Sequence, residues 1–241
     1  MKNSSKYLLA AVLVLLASVT AYNMALRTEY RKGDYKNPLR GYVSQPFKDF
    51  TEVAVPASNA VSVKLVSGPF SVRLHPRAAE YVHLRQQGGR LVITASFPER
   101  QQFFGRAETV IISCPRLAAL STDAVDEIGG KPQINKHYGG SQTVRVQGFN
   151  QDSLVLRQDR GSRVELIGNK LAYLHATTGT TPGSHPWLQV SADNHIAAAD
   201  LTLGHQSELT LNNIAIPQLR YHAADSAQVT LTGAALGSLP K

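Results

Sequence analysis

Ser162-Arg-Val164-Glu-Leu166-Ile-Gly168 recurs in this chain as Ser207-Glu-Leu209-Thr-Leu211-Asn-Asn213, and again, one residue longer, as Ser226-Ala-Gln-Val229-Thr-Leu231-Thr-Gly233. In each copy apolar and polar residues alternate, the period of a strand with one buried face. The offsets are 45 residues from Val164 to Leu209 and 20 from Leu209 to Val229. A unit of about 20 residues, with the longer gap holding two, is the signature of a solenoid. A second element recurs beside the first, as Val190-Ser-Ala-Asp193, Ala197-Ala-Ala-Asp200 and His222-Ala-Ala-Asp225. Small residues let chains approach at a corner, and Asp accepts from neighbouring backbone amides. Three short strands per turn joined by such corners make a β-helix.

The rest of the chain from Phe47 onward follows the same period. Val61-Ser-Val63-Lys-Leu65, Phe70-Ser-Val72-Arg-Leu74, Tyr81-Val-His-Leu84 and Leu91-Val-Ile93 alternate in this way or run apolar. So do Val110-Ile-Ile112-Ser-Cys114, Val144-Arg-Val146, Leu154-Val-Leu156, Leu188-Gln-Val190 and Leu201-Thr-Leu203. No amphipathic pattern of ten or more residues follows Leu26, so residues 47–241 are expected to be all-β. The alternative is a β-sandwich of many short hairpins. It favours Asn-Gly and Asp-Gly turns, and the sequence contains neither dipeptide.

Composition narrows the class. The 241 residues are 43% hydrophobic and 17% charged, too apolar for a disordered chain. One cysteine excludes an intrachain disulfide framework and a cysteine-based zinc cluster. The net charge is +8, but residues 1–48 carry eight Lys and Arg against Glu29 and Asp34, so six of those charges lie in this segment. A nucleic-acid binder carries its basic footprint on the folded domain. Here it flanks an apolar segment, which points to a membrane surface and not to nucleic acid.

That segment is residues 7–26, YLLAAVLVLLASVTAYNMAL, with no charge. As a helix it spans roughly 30 Å, the thickness of a bilayer's hydrocarbon core. Lys2 and Lys6 make residues 1–6 a basic n-region, and Tyr22 and Tyr30 suit the far interface. Two fates fit: a transmembrane signal anchor, or a signal peptide cut after Ala21, with Val19 and Ala21 small enough for the cleavage site. Residues 27–46, basic and broken by Gly33, Pro38, Gly41 and Pro46, read as a linker. Arg27, Arg31, Lys32, Lys36 and Arg40 after the helix outnumber Lys2 and Lys6 before it, which by the positive-inside rule favours a cytoplasmic domain. The apolar N-terminus favours export instead.

The domain resembles the head GIN domain family of candidate auto-transporter adhesins. Phe47-Lys-Asp-Phe50-Thr-Glu-Val53 precedes Val61-Ser-Val63-Lys-Leu65-Val-Ser-Gly68, Phe70-Ser-Val72-Arg-Leu74 and then Gly89-Arg-Leu91-Val-Ile93. The family's central signature stands as Val110-Ile-Ile-Ser-Cys-Pro115-Arg-Leu117-Ala-Ala-Leu120-Ser-Thr-Asp123. The resemblance covers residues 47–241. It departs in its Ala-Ala-Asp corners and in 177–186 (TTGTTPGSHP), which looks like an inserted loop. It implies a right-handed parallel β-helix on the bacterial envelope, periplasmic or at the surface, and no known reaction. The expected role is a non-enzymatic binding or structural module that presents strand faces to glycan or protein ligands. A cytoplasmic, membrane-tethered, self-associating scaffold and a glycan-active enzyme are the alternatives.

No G-x-S-x-G, H-E-x-x-H, Walker A or G-x-G-x-x-G motif occurs. No catalytic, cofactor-binding or metal-ligating residue is expected. Cys114 shares its strand face with Val110 and Ile112, so a buried, inert thiol is expected. His175, His185, His195 and His205 stand ten apart, about half a repeat, which puts alternate ones on different faces. His175 and His222 occupy equivalent positions if their 47-residue offset is two repeats. Asp193, Asp200 and Asp225 read as structural corners, because a glycan-cleaving site needs carboxylates converging in one groove. Arg157, Arg160 and Arg163 around Asp159 read as a solvated corner. Past Leu231 only Ala234, Ala235, Leu236 and Leu239 remain to cover the end, so a thin cap or a second copy is expected there.

Overall fold

The structure, a computed structural model, describes residues 3–33, 39, 41–102, 104–105, 108–137 and 140–238. The chain divides into two units, Met1–Tyr42 and Val43–Lys241.

The first unit is built on one helix, α1 (Asn3–Lys32), whose Ser4–Arg31 portion is long and apolar enough to cross a membrane. Ser18, Thr20 and Thr28 donate to the carbonyls of Val14, Leu16 and Met24 at 2.8, 2.7 and 2.9 Å. These bonds satisfy hydroxyls that a bilayer interior would otherwise leave unpaired. The helix outruns the apolar stretch and takes in residues 27–32 of the basic linker, because no Gly or Pro interrupts it before Gly33. Residues 34–38 and 40 of that linker, with Lys36, Pro38 and Arg40, lie outside the described residues.

The second unit is mostly strand. Its first part holds β1 (Val43–Gln45), β2 (Glu52–Val55), β3 (Val63–Ser67), β4 (Ser71–Leu74), β5 (Val82–Gln87), β6 (Arg90–Phe97), β7 (Val110–Cys114), β8 (Ala119–Thr122), β9 (Val125–Ile128) and β10 (Lys131–Ile134). The repeats follow as β11 (Val144–Gln147), β12 (Asn150–Gln158), β13 (Arg163–Ile167), β14 (Lys170–Thr178), β15 (Trp187–Val190), β16 (His195–Leu203), β17 (Glu208–Asn212), β18 (Gln218–Ala223) and β19 (Gln228–Thr232). Two sheets result. One runs β1-β4-β7-β3-β11-β13-β15-β17-β19, and the other β10-β9-β6-β2-β8-β12-β14-β16-β18, with β5 beside β6. From β11 onward the chain alternates between them, strand by strand.

Neighbours in the repeats are parallel and in register. Val144 lies beside Val164, Val164 beside Leu188, Leu188 beside Leu209 and Leu209 beside Val229. The steps are 20, 24, 21 and 20 residues, and Leu188 fills the long gap seen between Val164 and Leu209. Parallel neighbours argue against the hairpin sandwich, which needs antiparallel ones. Where three short strands per repeat are expected, each repeat gives two, a short one in the first sheet and a longer one in the second, nine residues in β12, β14 and β16 and six in β18. In β14 both Leu171 and Leu174 are buried, three positions apart, so alternation breaks at Ala172. Ile196 and Ala199 repeat this in β16, and the pairing skips 172 and 197 in step. Each long strand therefore turns its inward face partway along.

The corners are only partly those of the sequence pattern. Asp193 and Asp225 lie in turns, but Asp200 stands inside β16, so the Ala-Ala-Asp element is not one structural motif. One corner is instead marked by left-handed backbone at Gly148, Gly168 and Asn213, with φ of 74°, 59° and 49°. Beneath it Asn169 and Asn194 are buried and stacked. Asn169 donates to the Val146 carbonyl (2.9 Å) and accepts from the Phe149 amide (3.0 Å), and Asn194 accepts from the Asn169 amide (2.9 Å) and donates to the Leu166 carbonyl (2.7 Å). The amide side chains thus serve backbone groups that the corner takes out of the ladders.

Inward residues of both sheets join one continuous core reaching from Phe50 to Ala235. Because that core lies wholly within the second unit, Val43–Lys241 has what it needs to fold alone. The part before β11 departs from the repeat. β1 and β4 pair antiparallel, β5 folds back on β6, and β9 and β10 form a hairpin. Phe50 meets Phe70 edge-on at 5.2 Å, and Tyr81, Phe97 and Phe104 cluster.

Candidate functional site

The outward side chains of the nine-stranded sheet form polar columns. Lys64, Arg145, Glu165, Gln189, Thr210 and Thr230 succeed one another in register. Arg145 pairs with Glu108 and, at 3.0 Å, with Glu165, which also pairs with Arg163 at 3.0 Å. The Arg163 guanidinium lies 3.6 Å from the centroid of the half-buried Trp187 ring, whose N–H donates to Thr210 at 3.0 Å. A cation over an indole face is attracted by the ring quadrupole. The column therefore holds the chain's one tryptophan in a fixed orientation among charges.

Beside Trp187 lies the stretch suspected as an insertion. The turns 159–162, 204–207 and 224–227 at this corner have four residues each, whereas the turn 179–186 has eight. The first two short turns carry left-handed Arg160 and His205, and Ser162 and Ser207 close them by donating to the carbonyls of Asp159 and Gly204. The long turn is tied down by Asp159, which accepts from the Thr181 amide (3.0 Å), the Thr181 hydroxyl and the Ser184 hydroxyl (2.8 Å). Burial works to raise the Asp159 pKa, yet the hydrogen bonds from Thr181, Ser184 and the Arg160 amide outweigh it and hold the carboxyl at about 2. Where the long turn departs, Gly179 and Gly204 touch backbone to backbone, and a Cβ on either would collide with the other's carbonyl.

The long turn also reaches the segment after β10. His185 donates its amide to the Lys136 carbonyl at 2.8 Å, Lys136 Nζ donates to the Pro182 carbonyl at 3.0 Å, and His137 and His185 form a parallel bridge. Their rings meet edge to face, Nδ1 to Nδ1 at 3.3 Å, and His185 Nε2 lies 2.6 Å from Glu208 Oε1.

Residues singled out by pattern are dispersed. His175 lies on the outer face of β14 beside Asp200, which lies beside Arg220. His222 is beside Thr202, so His175 and His222 are not equivalent, because the two long strands are offset by two residues. His195 opens β16, and His205 sits in a left-handed corner. Arg160 pairs with Asp123 and Arg163 with Glu165, so these arginines serve separate partners. Cys114 is buried, and burial pushes its thiol up to about 12 against a modest opposing effect of the Arg116 amide. Among the described residues no three of His, Cys, Asp or Glu are gathered as a metal cluster. His137 and Glu208 escaped the sequence reading, since nothing local relates His137 to a partner 48 residues away.

No protein-family model and no curated protein matches the chain. Solved structures do. A candidate adhesin from Bacteroides fragilis shares 11% identity over 81% of this chain and 95% of its own, with a TM-score of 0.37. A candidate lipid-binding protein from Parabacteroides distasonis shares 11% over 80% and 94%, with a TM-score of 0.36. A candidate adhesin from Parabacteroides distasonis shares 11% over 80% and 94%, with a TM-score of 0.27.

Proposed function

We propose that this chain is a non-enzymatic module of the bacterial envelope, a right-handed parallel β-helix of the head GIN type that is anchored or exported by α1 and binds glycan or protein ligands along its outer strand face. The alternation of the chain from β11 onward between two mostly parallel sheets supports the solenoid, and parallel strands joined by a crossover are right-handed in about 98% of cases. The observation that carries the binding role is the face around Trp187, where an oriented indole sits among Arg163, Arg145 and Glu165 on in-register strands. Extended ligands suit such flat, rigid surfaces. The dispersal of Asp193, Asp200 and Asp225 speaks against a glycan-cleaving role, which needs converging carboxylates.

The test is a glycan array and an envelope-protein pull-down with residues 43–241, repeated with Trp187→Ala. Binding that falls at least about tenfold in the variant supports the face, as expected for a central aromatic anchor. Ligand capture that ignores the substitution moves the site elsewhere.

The second reading, a cytoplasmic scaffold tethered by the helix, is favoured by Arg27, Arg31 and Lys32 at its C-terminal end, each worth about 1 kcal/mol near anionic lipid. Protease access to the domain in intact cells, or only after permeabilisation, separates the two readings.

A further inference from the structure

We infer that a cleft on the outer side of the ten-stranded sheet, where β12, β14 and β16 bend, is a binding site for a neutral glycan segment. The inference rests on the glycan-binding reading above for the kind of ligand, and sets that ligand on the sheet that does not carry Trp187. The cleft has a volume of about 750 Å³, within the range of small-ligand sites. Its floor follows from the bend. Ala172 and Ala197 stand where the register is skipped and are exposed, as are Ala215 and Pro217 in the turn between β17 and β18. Methyl groups at these positions leave space that longer side chains would fill, and they offer an apolar surface to the C–H face of a sugar ring.

The rim is polar. Asn150, Lys170 and His195 succeed one another in register on β12, β14 and β16, and Asp152 stands where β12 skips. All four are exposed and line the cleft. Among the described residues the side chains of Asp152, Lys170 and His195 have no partner in the chain, unlike Arg145, Arg163 and Glu165 on the other sheet. The wall behind them is tied down. Gln151 accepts from the Leu117 amide (3.0 Å) and donates to the Leu117 carbonyl (2.6 Å), and Asn194 donates to the Leu166 carbonyl (2.7 Å). The cleft is thus rigid at its base and keeps its rim groups for a ligand, as a preorganised site requires. The charges select that ligand. Asp152 and Lys170 offset one another, so with His195 neutral the lining has no net charge and offers an anionic polymer no attraction. A sugar hydroxyl both donates and accepts, so neighbouring hydroxyls can give to the Asp152 carboxylate and take from Lys170 Nζ and the Asn150 amide.

The experiment titrates isotope-labelled residues 43–241 with maltotetraose, cellotetraose or mannotetraose, and with tetragalacturonate as the acidic counterpart, followed by NMR and calorimetry. The expected result is binding of at least one neutral oligosaccharide at millimolar concentration or below, with shifts at the backbone amides of Ala172, Ala197 and Ala215, and weaker binding of tetragalacturonate. Ala197→Tyr fills the cleft and abolishes binding. Asp152→Asn and Lys170→Met each weaken it about tenfold, the loss of one charge-assisted hydrogen bond. Trp187→Ala leaves it unchanged. The shifts of the unsubstituted fragment locate the site even if a variant fails to fold. No neutral oligosaccharide bound at millimolar concentration, shifts away from the cleft, or undiminished binding by Ala197→Tyr would overturn the cleft. Binding lost in Trp187→Ala but kept in Ala197→Tyr would reject the cleft and leave the Trp187 face standing, whereas the opposite pattern places the ligand in the cleft.

Discussion

The repeat that holds β13 and β14 and the one that holds β18 and β19 share the same apolar alternation, yet their burial differs. Val164, Leu166, Leu174 and Ala176 are 0% exposed. Their counterparts Leu219, Tyr221, Val229 and Leu231 are only partly buried. The interior strands have a partner on each edge, whereas among the described residues β18 pairs only with β16 and β19 only with β17. Beyond them comes a 3-10 stretch, Gly233–Ser238, from which Ala235 is buried while Leu236 stays exposed. Leu239, a further candidate for the cap, lies outside the described residues. Alternation states which face turns inward, and neighbours decide how far it is covered.

Leu166→Ala tests the contrast most strongly. It opens a cavity in the middle of the stack and should cost about 3 kcal/mol in chemical denaturation. Asn169→Ala should cost about 2 kcal/mol, because it strands the Phe149 amide and the Val146 carbonyl without their partner. Leu231→Ala should cost only about 1 kcal/mol, and equal losses at Leu166 and Leu231 would break the comparison. A second copy that covers β18 and β19 would raise the Leu231 figure. Sedimentation of residues 43–241 with and without Leu231→Asp and Leu236→Asp then shows a dimer that the variants abolish.

An effect as small as that at Leu231 is expected at the tied turn. Asp159 has a folded pKa of about 2 against a usual 3.8, so its contribution is complete above 3.8 and fades as pH falls toward 2. Screening by solvent at this half-exposed carboxylate reduces it to about 1 kcal/mol. Asp159→Asn should lower stability by that amount at neutral pH and flatten the acid limb of an unfolding titration between about pH 4 and pH 2. An unchanged limb would show that the turn is held by other contacts.

Much of the fold is legible because Val164, Leu209 and Val229 carry their period within a few residues. The nine-residue strands are half hidden for the opposite reason. Leu171 and Leu174 break the alternation where β14 bends, so Lys170–Thr178 does not read as one strand. Asn169 reads as a turn residue, and its burial follows only from the repeat above it. The long turn is visible as a compositional break, but its contacts are not. The bonds from Thr181 to Asp159 and from His185 to His137 join residues 22 and 48 positions apart, and no local pattern encodes such pairs. The Trp187 column is partly legible, since the alternation puts the residue outward without naming Arg163 as its cover.

Hydrogen exchange of residues 43–241, resolved strand by strand, tests most directly the claim that burial of the parallel repeats falls off from β13 toward β19. Protection should be greatest for β13 and β15, lower for β17 and lowest for β19, in a monotonic gradient toward the C-terminus. Protection at Val229 and Leu231 equal to that at Val164 and Leu166, in a sample shown to be monomeric, would contradict it.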